Sequence, residues 1–392
     1  MKTFIFSAII CYSLFNASTY AQQASGGTVS TTPMAKTVDA SKLTEKEISL
    51  EVDAGVSDVF LDNTYRSIEI KTWKQPKVKV SAKIFIDGKS TLTDEQWFNK
   101  LNLTVKRVGG KVQISSRKDN PLVTTHDSLG NASTISADLI KTVAVFDGEG
   151  NTINLGKLSN AKSEISVFIP EGNKLEIDNQ FSKLELTSNL QNVTINSTFG
   201  SIEAGDINRL IIRSKYTPFV VGNVKDAEIE MLNGRLKAGN IDKLDIDTKF
   251  STIDIASAND IILRSENDDY EIENAGDVRG RKTFGSLRID NLKTSMDIEG
   301  GNADIKVKNL NPSVKAINID NKFADIRLPL YNIKNYEVKV TGNFNTVYAP
   351  FEKKPLYSDA TDANGFTGEV GDIKGKHTKF IINCTSCTVD FK

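Results

Sequence analysis

Three aspartates in the middle of the chain have the residue type and the spacing to do chemistry. Asp245, Asp247 and Asp254 fall at outward positions of one short stretch. Carboxylate oxygens are the ligands that Ca²⁺ prefers, and paired carboxyl groups serve as acid and base in glycoside hydrolysis. No spacing typical of a calcium loop accompanies them. The alternative is a solvated face whose charge is balanced by neighbours, of which Arg264 is the first candidate.

Two cysteines near the end of the chain have the spacing of a redox or metal motif. Cys384 and Cys387 form a C-x-x-C pair, but Ile381 and Val389 place them among strand residues rather than at the start of a helix. A second pair that would complete a zinc site does not follow. We therefore expect a local disulfide and no cofactor.

Four apolar residues occupy positions where polar residues are expected. Ile211, Pro218, Val220 and Ile262 fall at outward positions of the same region. An outward apolar patch can mark a contact surface. These residues are therefore candidates for an interaction surface, and the alternative is that another part of the chain covers them.

The elements that would position all these residues are set by an internal repeat. One spacing of 18 residues is followed by five of 17. A short fixed period is typical of stacked architectures. The blocks begin at Leu175, Val193, Leu210, Ala227, Leu244, Ile261 and Val278.

Each block contains two short runs in which apolar residues alternate with polar ones, which predicts half-buried strands. Turn pairs such as Phe199-Gly200 and Asn233-Gly234 separate the runs, and we expect such pairs to supply the positive φ of a tight corner. One block cannot bury its apolar face alone, whereas stacked blocks can. The sequence predicts an all-β protein, a β-solenoid of two-strand repeats with an N-terminal β region and a C-terminal cap. The alternative is a sandwich of hairpins.

The chain begins with Met1-Lys2, an apolar run from Phe4 to Leu14 and a small-residue site ending at Ala21, the pattern of a secretory signal peptide. The Thr-, Ser-, Ala- and Gly-rich stretch that follows is typical of a flexible linker. The predicted organisation is a signal peptide at 1–21, a linker at 22–46, an N-terminal β region with a loop insert at 47–170, the repeat solenoid at 171–330 and C-terminal strands or cap at 331–392.

The formal net charge is −1, and no basic block or basic helix is present, which argues against nucleic-acid binding. No segment is long and apolar enough to predict a transmembrane helix.

Two stretches resemble a known family. One is Ser67-Ile68-Glu69-Ile70-Lys71-Thr72-Trp73 followed by Val78-Lys79-Val80, and the other is Ile165-Ser166-Val167-Phe168-Ile169-Pro170-Glu171-Gly172 followed by Leu175-Glu176-Ile177. Together they are similar to the bacterial "putative adhesin" β-strand-repeat family, secreted proteins with a domain of unknown function. The resemblance covers Ile48 to Leu330 and implies a stacked β fold, but it brings no site residues. The chain departs from the family pattern in replacing turn glycines, as at Phe181-Ser182.

These observations predict a secreted, non-catalytic β-repeat protein that presents an interaction surface to a protein or glycan partner at the cell envelope. The predicted location is the periplasm, the cell surface or the medium. One alternative is a carbohydrate-active or Ca²⁺-binding solenoid that uses the acidic cluster. The other is a structural envelope protein.

Overall fold

The computed structural model describes residues 43–55, 57–117, 124–126, 132–134, 145–151, 165–356 and 365–392. The predicted signal peptide and most of the predicted linker and loop insert lie outside these residues. The protein is nearly all β, as predicted, with one helix among the described residues. A sheet of 25 strands curves almost completely round one hydrophobic core, and β7 and β8 form a separate two-stranded sheet.

The elements before the repeats are β1 (Leu43–Asp53), β2 (Asp58–Thr64), β3 (Ile68–Trp73), β4 (Lys77–Asp87), α1 (Asp94–Lys100), β5 (Leu103–Val108), β6 (Lys111–Arg117), β7 (Thr124–His126), β8 (Ala132–Thr134), β9 (Val145–Asp147) and β10 (Ile165–Pro170). β1 starts inside the predicted linker because its residues from Leu43 onward pair antiparallel with β4.

The repeats contain β11 (Lys174–Gln180), β12 (Lys183–Leu186), β13 (Leu190–Thr198), β14 (Ser201–Ala204), β15 (Ile207–Lys215), β16 (Pro218–Val221), β17 (Val224–Leu232), β18 (Arg235–Lys249), β19 (Thr252–Leu310), β20 (Ala316–Lys322) and β21 (Asp325–Arg327). The C-terminal elements are β22 (Tyr336–Thr341), β23 (Thr346–Tyr348), β24 (Lys354–Pro355), β25 (Phe366–Val370), β26 (Thr378–Thr385) and β27 (Thr388–Asp390).

Successive repeats pair in parallel, each strand with its counterpart in the next repeat. The first predicted column is one continuous register, Leu175↔Val193↔Leu210↔Ala227↔Leu244↔Ile261. The tenth-residue column is another, Leu184↔Ile202↔Phe219↔Leu236↔Ile253. All these side chains are buried in the single core, so the apolar period of the sequence is the period of the pairing.

The stack extends beyond the predicted repeat array at both ends. β2 and β3 pair in parallel with β11 and β12, so pairing continues across the predicted boundary at residue 171. At the other end β26 lies between β20 and β22, parallel to both. Antiparallel strands follow outward, β5 on β6 and β25 on β22, which covers edges that would otherwise be unpaired.

The helix α1 begins with a capping box at Thr93. Thr93 accepts a hydrogen bond from the Gln96 amide, and the Gln96 side chain accepts one from the Thr93 amide. Trp97 and Phe98 are buried against the strands. With seven residues this helix cannot cross a membrane, and the described residues contain no other helix.

Each repeat turns at two corners. At the second corner the side-chain amides of Asn223 and Asn240 hydrogen-bond to each other, with Asn240 Nδ2 donating to Asn223 Oδ1 at 2.7 Å. At the first corner the turn pairs do supply a positive φ. The positive φ belongs to the residue before the glycine, with φ 54° at Phe199 and 52° at Asn233, whereas Gly200 and Gly234 do not have a positive φ. Gly200 is needed for space instead, since a Cβ there would lie 2.5 Å from the Ser182 carbonyl oxygen.

Candidate functional site

The first corners of successive repeats line up into one row of residues with left-handed backbone, which we call the corner row. Neighbouring corners are joined by backbone hydrogen bonds, such as Phe181 N to Thr198 O at 3.0 Å and Tyr216 N to Leu232 O at 3.0 Å. Positive φ is rare outside glycine, and asparagine is its usual exception. In stack order the row contains Tyr65, Phe181, Phe199, Tyr216, Asn233, Phe250, Asn267, Phe284, Asn302, Phe323, Ser386 and Phe344.

Four aromatic side chains at one end of the row form a continuous stack, which we call the ladder. Ring centroids lie 5.0 Å apart between Tyr65 and Phe181, 5.2 Å between Phe181 and Phe199, and 4.8 Å between Phe199 and Tyr216. The planes of Phe199 and Tyr216 are only 2° from parallel. Each ring therefore covers a face of its neighbour, at the spacing of adjacent strands.

Further along, aromatic residues alternate with asparagine, and we call the segment Phe250, Asn267, Phe284, Asn302 and Phe323 the comb. The three phenylalanines are 56%, 45% and 61% exposed. None of the described rings stacks on any of them, unlike the rings of the ladder. Both asparagines are exposed. The comb thus alternates half-exposed rings with exposed amide groups. The ladder rings Phe181, Phe199 and Tyr216 are similarly exposed, at 41%, 49% and 48%, but they stack on one another.

Beneath several corners of the row, polar side chains two residues before or one residue after the corner hydrogen-bond to one another. Asn179 Nδ2 donates to the Ser182 carbonyl at 3.1 Å and to Ser197 Oγ at 3.3 Å. Asn63 Nδ2 donates to Asn179 Oδ1 at 2.9 Å, which links one repeat to the next. A column of hydrogen-bonded polar side chains is therefore present here, and it supports the strained corners.

Under the comb this polar column contains two ionisable groups. Asp268 is buried and accepts from Thr248 Oγ1 at 2.7 Å, from Ser265 Oγ at 2.6 Å and from the Ser251 amide at 2.6 Å. Lys282 is fully buried, and its ammonium group donates to the carbonyl oxygens of Asp268 and Phe284. Burial lowers the pKa of Lys282 to about 8, although the nearby Asp268 opposes this. Both side chains hydrogen-bond to the backbone of the corners above them, and both are buried away from solvent.

The structure partly neutralises the predicted acidic cluster. Arg264 Nη2 lies 2.5 Å from Asp245 Oδ1, and Arg264 Nε lies 3.3 Å from Asp247 Oδ2. Asp254 belongs to the other strand run of the repeat, where it stands beside Lys237 in the register. The three carboxylates are therefore not brought together. Among the described residues no group of three or more His, Cys, Asp or Glu side chains is arranged to hold a metal ion.

The four apolar candidates also lie apart. In the register, Ile211 is separated from Ile262 by Glu228 and Asp245, so the two do not touch along that row. Pro218 and Val220 are exposed on the other run, beyond the corner. They do not form one patch with the isoleucines, because Ile211 and Pro218 lie on opposite sides of the Tyr216 corner.

The predicted disulfide is present between Cys384 and Cys387, with Cα atoms 6.0 Å apart. It spans the corner at Ser386, where φ is 57°. Cys384 and Cys387 occupy the positions that Asn179 and Ser182 occupy in their repeat. The covalent bond therefore does at the end of the row what hydrogen bonds do elsewhere.

The corner row is the feature that sequence reasoning missed as a site. The aromatic residues at this position were interpreted only as turn residues beside glycine. A signal was available, since aromatic or asparagine residues recur there at the repeat spacing where glycine would be the simplest choice.

No model of a known protein family and no curated protein matches this chain. Two solved structures align with most of it. A "putative cell adhesion protein" from Clostridium sporogenes ATCC 15579 is 12% identical over 89% of this chain and 99% of its own, with a TM-score of 0.22. A "putative adhesin" from Parabacteroides merdae ATCC 43184 is 9% identical over 90% of this chain and 97% of its own, with a TM-score of 0.37. These scores are too low to transfer a fold or a role, so the site is argued from its own residues.

Proposed function

We propose that this chain is an exported, non-catalytic β-solenoid protein that binds a partner at the cell envelope through its corner row. The observation that carries the proposal is a row of corners on left-handed backbone that exposes aromatic side chains such as Phe250 and Phe323. Large apolar side chains in a row on a protein surface are typical of contact surfaces. The parallel register from repeat to repeat supports the solenoid, and the pattern of residues 1–21 supports export.

The geometry favours a rigid binding surface over a flexible one. Each corner is fixed by backbone hydrogen bonds to the next repeat and by the polar column beneath it. Side chains that are already ordered lose little entropy on binding. A row with fixed spacing is also suited to a partner that is itself extended and repetitive.

The two other functions predicted from the sequence have less support. The acid–base or Ca²⁺ alternative needs open carboxylates, but Arg264 occupies those of Asp245 and Asp247. A purely structural envelope protein would have no need for exposed rings such as Phe323 and Phe250.

The test is capture of envelope or culture-medium components of the source organism by residues 22–392 immobilised on beads. A row variant would replace Phe181, Phe199, Tyr216, Phe250, Phe284 and Phe323 by asparagine. Asparagine already occupies the same corner position at Asn233, Asn267 and Asn302, so we expect the row variant to fold. We expect capture to be lost in a row variant whose circular dichroism is unchanged.

The matched control is Pro218→Arg combined with Val220→Lys, which copies the residues that Arg235 and Lys237 provide in the next repeat. We expect this control to capture as the wild type does. Undiminished capture by the folded row variant would contradict the proposal. Loss in the control alone would also contradict it, because it would place binding at the exposed apolar residues beyond the corner.

A further inference from the structure

The comb repeats every second strand spacing. Phe250, Phe284 and Phe323 are each separated by one asparagine repeat, so successive rings lie two strands apart, roughly 9.6 Å. In the ladder the rings follow one another at a single strand spacing and fill the space between them. The comb therefore has a regular gap above each asparagine that the ladder lacks.

The fold does not explain the phenylalanines of the comb. A bulky side chain on left-handed backbone is strained, and asparagine adopts that backbone more easily. Stacking on neighbours compensates this strain in the ladder, whereas no described ring stacks on Phe250, Phe284 or Phe323. The same corner is formed by Asn267 and Asn302. Exposed rings without a structural need indicate a ligand.

The surroundings of the comb define the chemistry of that ligand. The side-chain amides of Asn267 and Asn302 are exposed and make no hydrogen bond with the described residues, so they can donate to and accept from a ligand. Charges beside the row are balanced locally, as in the 2.9 Å ion pair between Lys249 and Glu266. Asp269 accepts a hydrogen bond from Ser286 at 2.6 Å. In this part of the described chain the charges therefore do not add up to an electrostatic potential of one sign that would select a charged polymer.

We propose that the comb binds a linear, uncharged glycan, a ligand class that rests on the interaction surface proposed above. A pyranose ring has an apolar face of C–H groups that can lie on a phenylalanine ring, and hydroxyl groups at its edge that can bond to an amide. In an extended β-linked glycan alternate sugars present the same face in the same direction. Its structural repeat is therefore two sugars, which matches the ring–amide–ring alternation of the comb.

The experiment measures retention of the folded chain, residues 22–392, in native gels that contain a neutral polysaccharide: soluble cellulose, chitosan re-acetylated to a soluble chitin, xylan or mannan. Calorimetry with the hexasaccharide and disaccharide of the retaining polymer follows. We expect retention by at least one polymer and tighter binding of the hexasaccharide, because only the longer chain reaches two rings. Phe284→Asn should weaken hexasaccharide binding about tenfold, the upper range of one aromatic contact.

The matched control is Pro218→Arg combined with Val220→Lys, which changes two exposed residues outside the corner row. We expect it to bind the hexasaccharide as the wild type does. No retention by any polymer would overturn the glycan proposal, and so would equal binding by wild type and Phe284→Asn.

The outcome can be separated from that of the proposed function. Envelope material would be digested before capture, either with a glycoside hydrolase that cleaves the retaining polymer or with a protease. Capture that depends on Phe284 and is lost after the glycoside hydrolase supports the glycan. Capture that depends on Phe284 but is lost only after protease overturns the glycan and keeps the interaction surface, with a protein as the partner. Capture that no row substitution alters overturns both.

Discussion

The ladder and the comb are the same backbone row with different side chains. Both consist of corners with φ between 52° and 61°, joined by the same hydrogen bonds from repeat to repeat. In the ladder every corner from Tyr65 to Tyr216 has an aromatic ring that covers the next. In the comb asparagine interrupts the rings. The backbone thus accepts either residue type, and the choice between them must have another cause.

The difference separates structural from functional use of one position. Rings in the ladder gain about 0.5 to 1.5 kcal/mol per stacked pair, which offsets the strain of a left-handed corner. Rings in the comb have the strain without a stacking partner among the described residues. We infer that the ladder stabilises the stack, whereas the comb is available to a ligand.

The ladder and the comb can be compared only if the same continuous hydrophobic core lies beneath both. Ile253 is fully buried below the comb, in the same column as Leu184 below the ladder. Ile253→Asp should destabilise the protein by at least about 4 kcal/mol, because it places a carboxylate in an apolar column. Thermal melting checks this, with the exposed neighbour change Thr252→Asp as the control. A wild-type melting temperature for Ile253→Asp would refute the register on which the comparison depends.

The corner at Phe284 can be destabilised without replacing an aromatic residue. Gly285 has φ +77°, and a Cβ there would lie 2.1 Å from the Asp268 carbonyl oxygen. Gly285→Ala should lower the free energy of unfolding by about 3 kcal/mol in urea titrations. Gly301→Ala is the matched control, since its Cβ would meet only Thr283 Cγ2 at 3.9 Å. Equal stability of the two variants would show that this corner does not need its special backbone.

Lys282 gives the comb a pH dependence that the ladder should lack. Burial lowers its pKa to about 8, whereas the unfolded chain keeps the ordinary value of 10.5. Between these values the unfolded state binds more protons, so stability should rise as the pH increases from about 8 to 10.5. Relative to Lys282→Met, the wild type should gain roughly 2 kcal/mol over this range.

Methionine is a suitable replacement because Met231 occupies the equivalent buried position in another repeat. Urea titrations of both proteins at several pH values measure the difference. If the stability difference between wild type and Lys282→Met is the same at pH 7.5 and pH 10.5, Lys282 is not held in the desolvated site described here.

The smallest expected effect tests the comparison most directly. Phe199→Asn removes two stacked contacts and relieves backbone strain, so it should destabilise the protein by about 1 kcal/mol. Phe284→Asn removes no stacked contact and should lie within about 0.5 kcal/mol of the wild type. The urea unfolding midpoints of the two variants, measured under the same conditions, show whether Phe199→Asn costs more stability than Phe284→Asn. Equal losses would mean that the comb phenylalanines also serve the fold.

Much of the scaffold could be predicted from the sequence because the repeat columns are locally unambiguous. Leu175, Val193 and Leu210 recur in a polar–apolar alternation whose period survives in the pairing of the strands. The capping box at Thr93 likewise predicts α1. By contrast, the pairing of β2 with β11 could not be predicted, since it joins residues as far apart as Asn63 and Asn179, a separation of 116 residues.

The candidate site was harder to predict, for two physical reasons. The pair Phe199-Gly200 suggests glycine as the residue with positive φ, but steric contact with the previous repeat already requires a glycine there. Outward positions can be found from alternation, yet their partners depend on the twist and register of the stack. The sequence predicts Arg264 as a possible partner of the acidic residues. Only the structure shows that it contacts Asp245 Oδ1 and Asp247 Oδ2.

The placement of β26 between β20 and β22 has a consequence for how the molecule is made. A ribosome delivers β20 and β22 long before residues 378–385, so a growing chain must leave a slot one strand wide. A chain trimmed before Thr378 would expose two parallel edges facing that slot, which is a template for unwanted pairing with other chains. A free peptide with the sequence of Thr378–Thr385 is the segment that fits it, as in donor-strand complementation. Closure of the stack therefore depends on β26, which is synthesised after both of the strands that it pairs with.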